Sequence, residues 1–307
     1  MALQQEIWSQ DIQENLFAGN PFMNSATDHS QWVNFKTVHV PQAGTNPVVT
    51  KNRSVLPAVI VQRTDSELTY SLNEFSSEPI LITNIEELQI SYNKRASILS
   101  TTIKQLGDAV ANNSLYAWAP SGATRQVRTT GVADGLALAP SATGTRKAIT
   151  LPDIASARGI LDKDNVPMDG RILVMPADEY NSHFLAISNV QSAYAYGSPV
   201  LPSGVVNRVF GFSIMIRPSV LVYDNTGTPL IKAINDQGAP SAPAATDNMA
   251  SLAFHPAFVA HALGSITSFA DENKPEYYGS IFSSLVMHGA SKLRTSQLGV
   301  VAIIQAA

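Results

Sequence analysis

The side chains able to do chemistry in this chain are three carboxylate pairs, six histidines, one acidic turn and one loose group of cations. Glu86-Glu87, Asp178-Glu179 and Asp271-Glu272 have the composition of a two-carboxylate acid–base site, which needs two carboxyls converging on one bond. Each pair instead falls where a helix terminus or an exposed face is expected. His255 and His261 lie on one expected helix, residues 254–263, but six positions apart. That puts them on opposite faces, not at the one-turn spacing of a ligand pair. Asp162-x-Asp164 begins like a calcium loop, yet Pro167 stands where that loop needs glycine and no glutamate closes it. Arg125, Arg128, Arg146 and Lys147 suit a phosphate contact, salt bridges between subunits or a solvated surface. The sequence contains no Gly-x-Ser-x-Gly elbow, no His-Glu-x-x-His and no phosphate-binding GK[ST] loop. No catalytic, cofactor-binding or metal-binding residue is expected, and the chain is read as a non-enzyme.

Composition narrows the classes further. Charged residues make up 14% of the 307 positions, where about a quarter is ordinary for a soluble protein. Sparse charge hints that much of the exterior is covered by partners. A net charge of −4 argues against a dedicated nucleic-acid binder. With no cysteine, disulfides, thiolate metal sites and a cysteine nucleophile are excluded. The first residues carry neither a basic segment nor a long apolar one, so no signal peptide is read there, and no apolar run is long enough to span a membrane. The protein is expected to be made and used in a cytoplasm, or to leave it by another route such as lysis.

The elements that must position these residues follow from periodicity. Residues 5–17 form a short amphipathic helix, able to pack on its own domain or on a neighbour. Two strand-like segments, 32–40 and 59–72, flank a tip of Pro, Asn and Gly at 42–57. The second segment is polar on both faces, and a two-stranded hairpin with so little apolar surface cannot hold itself together in water. It packs on another part of the chain or on a neighbouring subunit, and its exposed edges invite the second option. Residues 84–111 form the clearest helix, with Ile85, Leu88, Tyr92, Leu99, Ile103, Leu106 and Val110 at spacings of three and four and a cap at Thr83 or Asn84. A loop with short strands follows at 121–144. Residues 151–180 read as helix, acidic turn, buried strand (Ile172 to Met175) and second helix, with Pro176 ending the strand. Core strand is expected at 209–222, surface loop at 237–247, alternation in places over 277–293 and an apolar strand at 298–304.

The run VPMDGRILVMP at 166–176, between two helices, resembles a block of tailed-phage major capsid proteins, in the segment belonging to their axial domain. VHVPQAG at 38–44 and TDSELTYSL at 64–72 are similar to the two sides of that family's extended loop. AFHPAFVAHALGSI at 253–266 and YYGSIFSSLVMHGASKLRTSQLGVVAI at 277–303 resemble its C-terminal return. The resemblance implies an α+β, HK97-like fold. Its parts would be an N-terminal arm (1–31), an extended hairpin loop (32–82), a peripheral domain with a long spine helix (83–120), an axial domain (121–249) and the return to the peripheral domain (250–307). It further implies self-assembly through pentamers and hexamers into an icosahedral head, and location in the virion after assembly in host cytoplasm. Scaffolding, portal and decoration proteins would be partners; packaged DNA would be touched weakly and non-specifically, and no membrane is involved. No cofactor is implied. The arm begins near Met1, so a separate scaffold protein or none is expected. Lys51 lies at the loop tip, but no acceptor for the covalent crosslink of some relatives can be named. Encapsulin-type compartment shells share the fold and are the nearest alternative; a soluble hydrolase or carbohydrate-binding protein is the alternative outside it.

Overall fold

The computed structural model describes residues 12, 16, 19–44, 48–54, 56–57, 60, 62–83, 94–133, 135–187, 208–294 and 296–307. Strands β1 (Thr27–Asp28), β2 (Val33–Asn34), β3 (Thr37–Gln42), β4 (Ser66–Ser71), β5 (Asn73–Ser76) and β6 (Ile80–Thr83) precede helix α1 (Lys94–Trp118). After β7 (Gln126–Arg128), β8 (Gly135–Leu136) and β9 (Thr145–Arg146) come α2 (Leu151–Lys163), β10 (Ile172–Pro176) and α3 (Ala177–Glu179), which runs on into a π-helical turn at Tyr180–Phe184. The chain ends through β11 (Arg208–Val209), β12 (Phe212–Arg217), β13 (Leu221–Tyr223), β14 (Asn248–Phe254), β15 (Val259–Lys274), β16 (Gly279–Lys292) and β17 (Val300–Ile304).

Two sheets organise the molecule. The first runs β11-β12-β10-β14-β17-β7, with β13 also on β14. Both faces are covered at the central strands β10, β14 and β17, which is why β10 and β17 read as unbroken apolar runs. Ile172, Val174, Leu252, Phe254, Val300 and Ala302 pack against Leu115 and Trp118 of α1. Their neighbours Leu173, Met175, Ala253, Val301 and Ile303 pack against Ile154, Ala157 and Leu161 of α2, with Tyr180 and Phe184.

The second sheet is built on the long antiparallel pair β15–β16, with β1 beside β15 and β5 and β6 both beside β16. Val286 turns to one face, where Ile103 and Leu106 of α1 meet Ile12 and Leu16. The N-terminal segment therefore packs on its own helix at the two positions described. Gly107 allows it to do so, since a Cβ there would stand 2.3 Å from the Leu16 carbonyl oxygen. The opposite face, through Ala262 and Met287, holds Val38, Tyr70 and Leu72 of the β3–β4 hairpin.

Three expectations change. Residues 254–263 are not a helix: Pro256 permits only a 3-10 turn (Pro256–Phe258), after which the chain enters β15 and pairs with β16 from Val259↔Lys292 onward. Pairing on both sides overrides the helical preference of an alanine-rich segment. The described part of α1 runs beyond residue 111 to Trp118, because Leu115 and Trp118 are needed in the core; its expected start, 84–93, lies outside the described residues. The hairpin's paired part is short, Thr37↔Ser71 to Gln42↔Ser66. Gln42 belongs to this base and not to the tip: it is buried and its amide donates to the Leu293 carbonyl.

Candidate assembly surfaces

The residues with chemical potential do not converge. Among the described residues no group of three or more His, Asp or Glu is placed to hold a metal. The pair Glu86-Glu87 lies outside the described residues. Asp271 pairs with Lys274 at 2.8 Å, while Asp178 is exposed and Glu179 buried. His39 bonds Glu67 at 2.7 Å. His255 accepts the Ala257 N–H at 3.2 Å to cap the 3-10 turn, whereas His261 sits in β15, stacked on His288 with ring centroids 5.8 Å apart. Burial pushes the His288 imidazole down to about 3, helped by His261 beside it.

Three of the four cations in the basic group, Arg125, Arg128 and Arg146, are likewise structural. Arg125 pairs with Asp164, and Arg128 donates to the Thr226 and Gln305 carbonyls. Arg146 is buried, donating to Asn248 Oδ1 at 2.6 Å and to the carbonyls of Thr143, Thr145, Ala245 and Asp247. Sequence reasoning missed Lys292, whose ammonium caps the C-terminal end of α1 by donating to the Ala117 and Ala119 carbonyls at 3.1 and 2.7 Å.

In the 151–180 block, every conspicuous residue closes a backbone. Asp153 is buried and accepts from the Thr150 N–H at 2.9 Å and from the Thr130 hydroxyl at 2.7 Å. Asn165, at φ 53°, ends α2; the Val166 N–H bonds Leu161 O and the Asn165 N–H bonds Asp162 O, both at 3.1 Å. That is a Schellman ending, with Val166 and Leu161 in the same core. Arg171 is buried and donates to Pro167 O at 2.8 Å, to Val166 O at 2.6 Å and to Asp162 Oδ1 at 2.7 Å. Those bonds hold Asp162 below the usual carboxylate range. The acidic turn is an anchor for arginines.

What remains is surface. Beyond the hairpin base the loop closes where Gly44 passes Thr64, so tightly that a Cβ would stand 2.0 Å from the Thr64 carbonyl oxygen. The Gly44 N–H donates to Asp65 at 2.8 Å. Outside that pinch Val48, Val49, Leu56 and Ile60 are 86%, 93%, 78% and 97% exposed. At the far end of the β15–β16 pair, Phe269, Tyr277 and Tyr278 are exposed, with Ile80 and Leu81 partly so on β6. Isolated exposed aliphatics are ordinary, but two concentrations at the tips of two hairpins are the pattern of contact surfaces.

No family model matches the sequence, and no curated protein does. Solved structures do. One, from the capsid of the cyanophage P-SCSP1u, superposes with a TM-score of 0.64 at 16% identity, covering 92% of this chain and 86% of that one. One from Mycobacterium phage Che8 gives 0.61 at 19% identity, covering 92% and 90%. A virus-like particle from Pyrococcus furiosus gives 0.54 at 10% identity, covering 98% and 99%. At such identities the likeness is one of fold, and the fold is the α+β, HK97-like architecture expected from the sequence.

Proposed function

We propose that this protein is the major capsid protein of a tailed bacteriophage, and that its copies assemble into an icosahedral head around double-stranded DNA. The observation that carries the reading is the fold likeness, which extends over 92% of the chain and over 90% and 86% of the two phage proteins compared. The bare apolar loop outside the Gly44–Thr64 pinch agrees with it, because ordering such a loop requires surface from another molecule.

In this reading the β15–β16 sheet with α1 is the peripheral domain and α1 its spine helix. The sheet between α1 and α2 belongs to the axial domain, which takes β14 and β17 out of the 250–307 return expected from the sequence and leaves β15 and β16 of it to the peripheral domain, and residues 45–63 are the tip of the extended loop. No chemistry is asked of the chain. Contacts that are modest singly and strong together let a misplaced subunit leave before the shell closes. Portal, scaffolding and decoration proteins would be partners, and DNA would be met by weak non-specific contact. The protein would reside in the virion after assembly in the host cytoplasm.

The test is assembly of the purified chain, followed by electron microscopy and sedimentation. Closed particles are expected, while replacing residues 45–63 with a two-residue turn leaves a folded subunit and no stable shells. This cut spares the buried Gln42. A chain that stays monomeric or dimeric at every concentration and salt sinks the reading. An encapsulin-type compartment is the second and less supported reading: the virus-like particle from Pyrococcus furiosus matches over 98% of the chain but superposes less well than the two phage proteins, at a TM-score of 0.54. Particles from the native source that contain an enzyme cargo in place of DNA would select it.

A further inference from the structure

After β10 the chain makes a short turn, residues 177–187, whose two carboxyls face opposite ways. Asp178 is exposed, whereas Glu179 is 1% exposed. Glu179 Oε2 accepts from the Ser251 hydroxyl at 2.8 Å. Ser251 alternates along β14 with Ala250 and Leu252, which face α1, and so shares the α2 face with Ala253. Glu179 Oε1 has no hydrogen-bond partner among the described residues. An ionised carboxylate offers about four acceptor sites, so most of its capacity is unmet here. The strands β10 and β17 bring only apolar side chains, Ile172 to Pro176 and Val300 to Ile304. From α2 comes a second carboxyl, Asp153, itself buried, whose charge acts on Glu179. The turn's own His183 reaches the β8–β9 hairpin instead, where a Cβ on Gly135 would stand 3.0 Å from its Nε2. A carboxyl in such surroundings, with one hydroxyl, a like charge and no cation, keeps its proton.

The backbone of the turn is only lightly tied. The three residues of α3 widen into the π-helical turn Tyr180–Phe184, closed by the Leu185 N–H on Tyr180 O at 3.0 Å and followed by the Ile187 N–H on Phe184 O at 3.3 Å. Turns of this kind are rare and frequent at functional sites. Side chains hold it in place: Tyr180 and Phe184 are buried and stack at 5.4 Å, and Leu185 and Ile187 pack on the same core. We propose that residues 177–187 are a proton-held clasp. While the Glu179 carboxyl is neutral they stay seated under α2, and when it loses its proton they swing out with both sheets intact. Burial pushes this carboxyl up to about 7, and outside the core it returns to its ordinary 4.5. The closed state therefore holds a proton that the open state releases. Opening becomes up to about tenfold easier per pH unit between 4.5 and 7, about 300-fold in all, with a plateau above. An open clasp uncovers part of the core that Ile154 and Ala157 of α2 share with Tyr180 and Phe184. The device is complete in one subunit and stands whether or not shells form.

Amide hydrogen exchange on the full chain from pH 5 to 9, corrected for the intrinsic rate, tests this. The Leu185 and Ile187 amides should lose protection by about tenfold per pH unit up to pH 7 and level off above it. Their exchange should depend little on urea, while β14 and β17 amides exchange only with global unfolding. Glu179→Gln keeps the shape and a bond to Ser251 but carries no charge, so its protection should be flat with pH. Ser251→Ala removes the hydroxyl that favours the charged form. It should carry the plateau to higher pH, a shift that lost packing alone does not give. Chymotrypsin cleavage at Tyr180 and Phe184, corrected for protease activity, reads the same opening independently and should follow the same profile, lost in Glu179→Gln. Three results each overturn the proposal: protection of Leu185 and Ile187 that is flat with pH in the wild type, a slope that survives Glu179→Gln, or a slope shared with β14 and β17 at the urea dependence of global unfolding.

Discussion

Replacing Arg171 with leucine tests whether the VPMDGR turn is a load on the fold or a surface feature. The guanidinium is 1% exposed and donates to two carbonyls and one carboxylate. Leucine keeps most of the apolar volume and removes every donor. The Val166 carbonyl then sits in a buried turn with its donor gone, which costs about 1–3 kcal/mol. Pro167 is exposed, so its carbonyl regains water and loses about 0.5–1 kcal/mol. Asp162 is 41% exposed and its share, screened by solvent, is at most about 1 kcal/mol. The sum is about 1.5–5 kcal/mol, or a fall of about 2–8 °C in the melting temperature of a chain this size. Thermal unfolding of the dissociated subunit, followed by circular dichroism, reads that number. Asp162 supplies an independent readout: without Arg171 its carboxyl should titrate closer to the ordinary range, visible by NMR. Arg171→Lys should recover little, because a single ammonium cannot fork to two carbonyls. A loss below about 1 kcal/mol with Asp162 unmoved would refute this account of the turn.

Two further outcomes follow from the same reasoning. Burial, with the Asp153 charge adding to it and the Ser251 hydroxyl opposing it, pushes the Glu179 carboxyl up to about 7. Between its ordinary value of 4.5 and about 7 the native state therefore holds a proton that the unfolded chain releases, and stability falls as pH rises through that window. His288 acts with the opposite sign: between about 3 and its ordinary 6.5 the unfolded chain takes up the proton, so stability falls as pH drops. Glu179→Gln removes only the first effect. Its stability relative to wild type should grow by up to about 1.4 kcal/mol per pH unit from pH 4.5 to 7 in urea unfolding; a pH-independent offset would sink the assignment. Gly107→Ala gives a test by sign. Helix propensity alone predicts a gain of about 1 kcal/mol, whereas the 2.3 Å approach to Leu16 O predicts a loss and faster proteolysis of the N-terminal segment. Stabilisation would mean that the segment does not pack on α1 in solution.

Local rules carried the sequence far wherever an element has one buried side or a defined ending. The break at residues 162–165 became a Schellman ending, and the apolar run Ile172 to Met175 became a strand buried on both faces. They failed where partners decide. Residues 254–263 read as a helix from an alanine-rich sequence, and their own composition does not announce the sixteen-residue strand that they open. Two glycines could have signalled it: Gly264 and Gly289 both leave room for Leu72, marking where the hairpin base crosses the sheet. Arg146 reads as a surface or salt-bridging cation and Lys292 draws no reading at all, since sequence does not show the carbonyls that converge on them.

The candidate assembly surfaces were half legible, and the reason is physical. The exposure of Val48, Val49, Leu56 and Ile60 shows only in the structure, but the loop could be read as waiting for a partner because its second strand is polar on both faces and cannot hold a hairpin together alone. Phe269, Tyr277 and Tyr278 could not, because in sequence they continue the alternation of a strand whose neighbouring apolar residues are core. Only the register separates them: the ladder continues past the last residue that the chain's own hairpin can cover. The same face is thus core at Met287 and surface at Phe269. A chain folding alone gains little by extending a sheet beyond its own cover, since exposed aromatic surface favours aggregation. The extension and the low charge content both fit the shell proposed above, in which surface that the chain leaves bare by itself is covered on assembly.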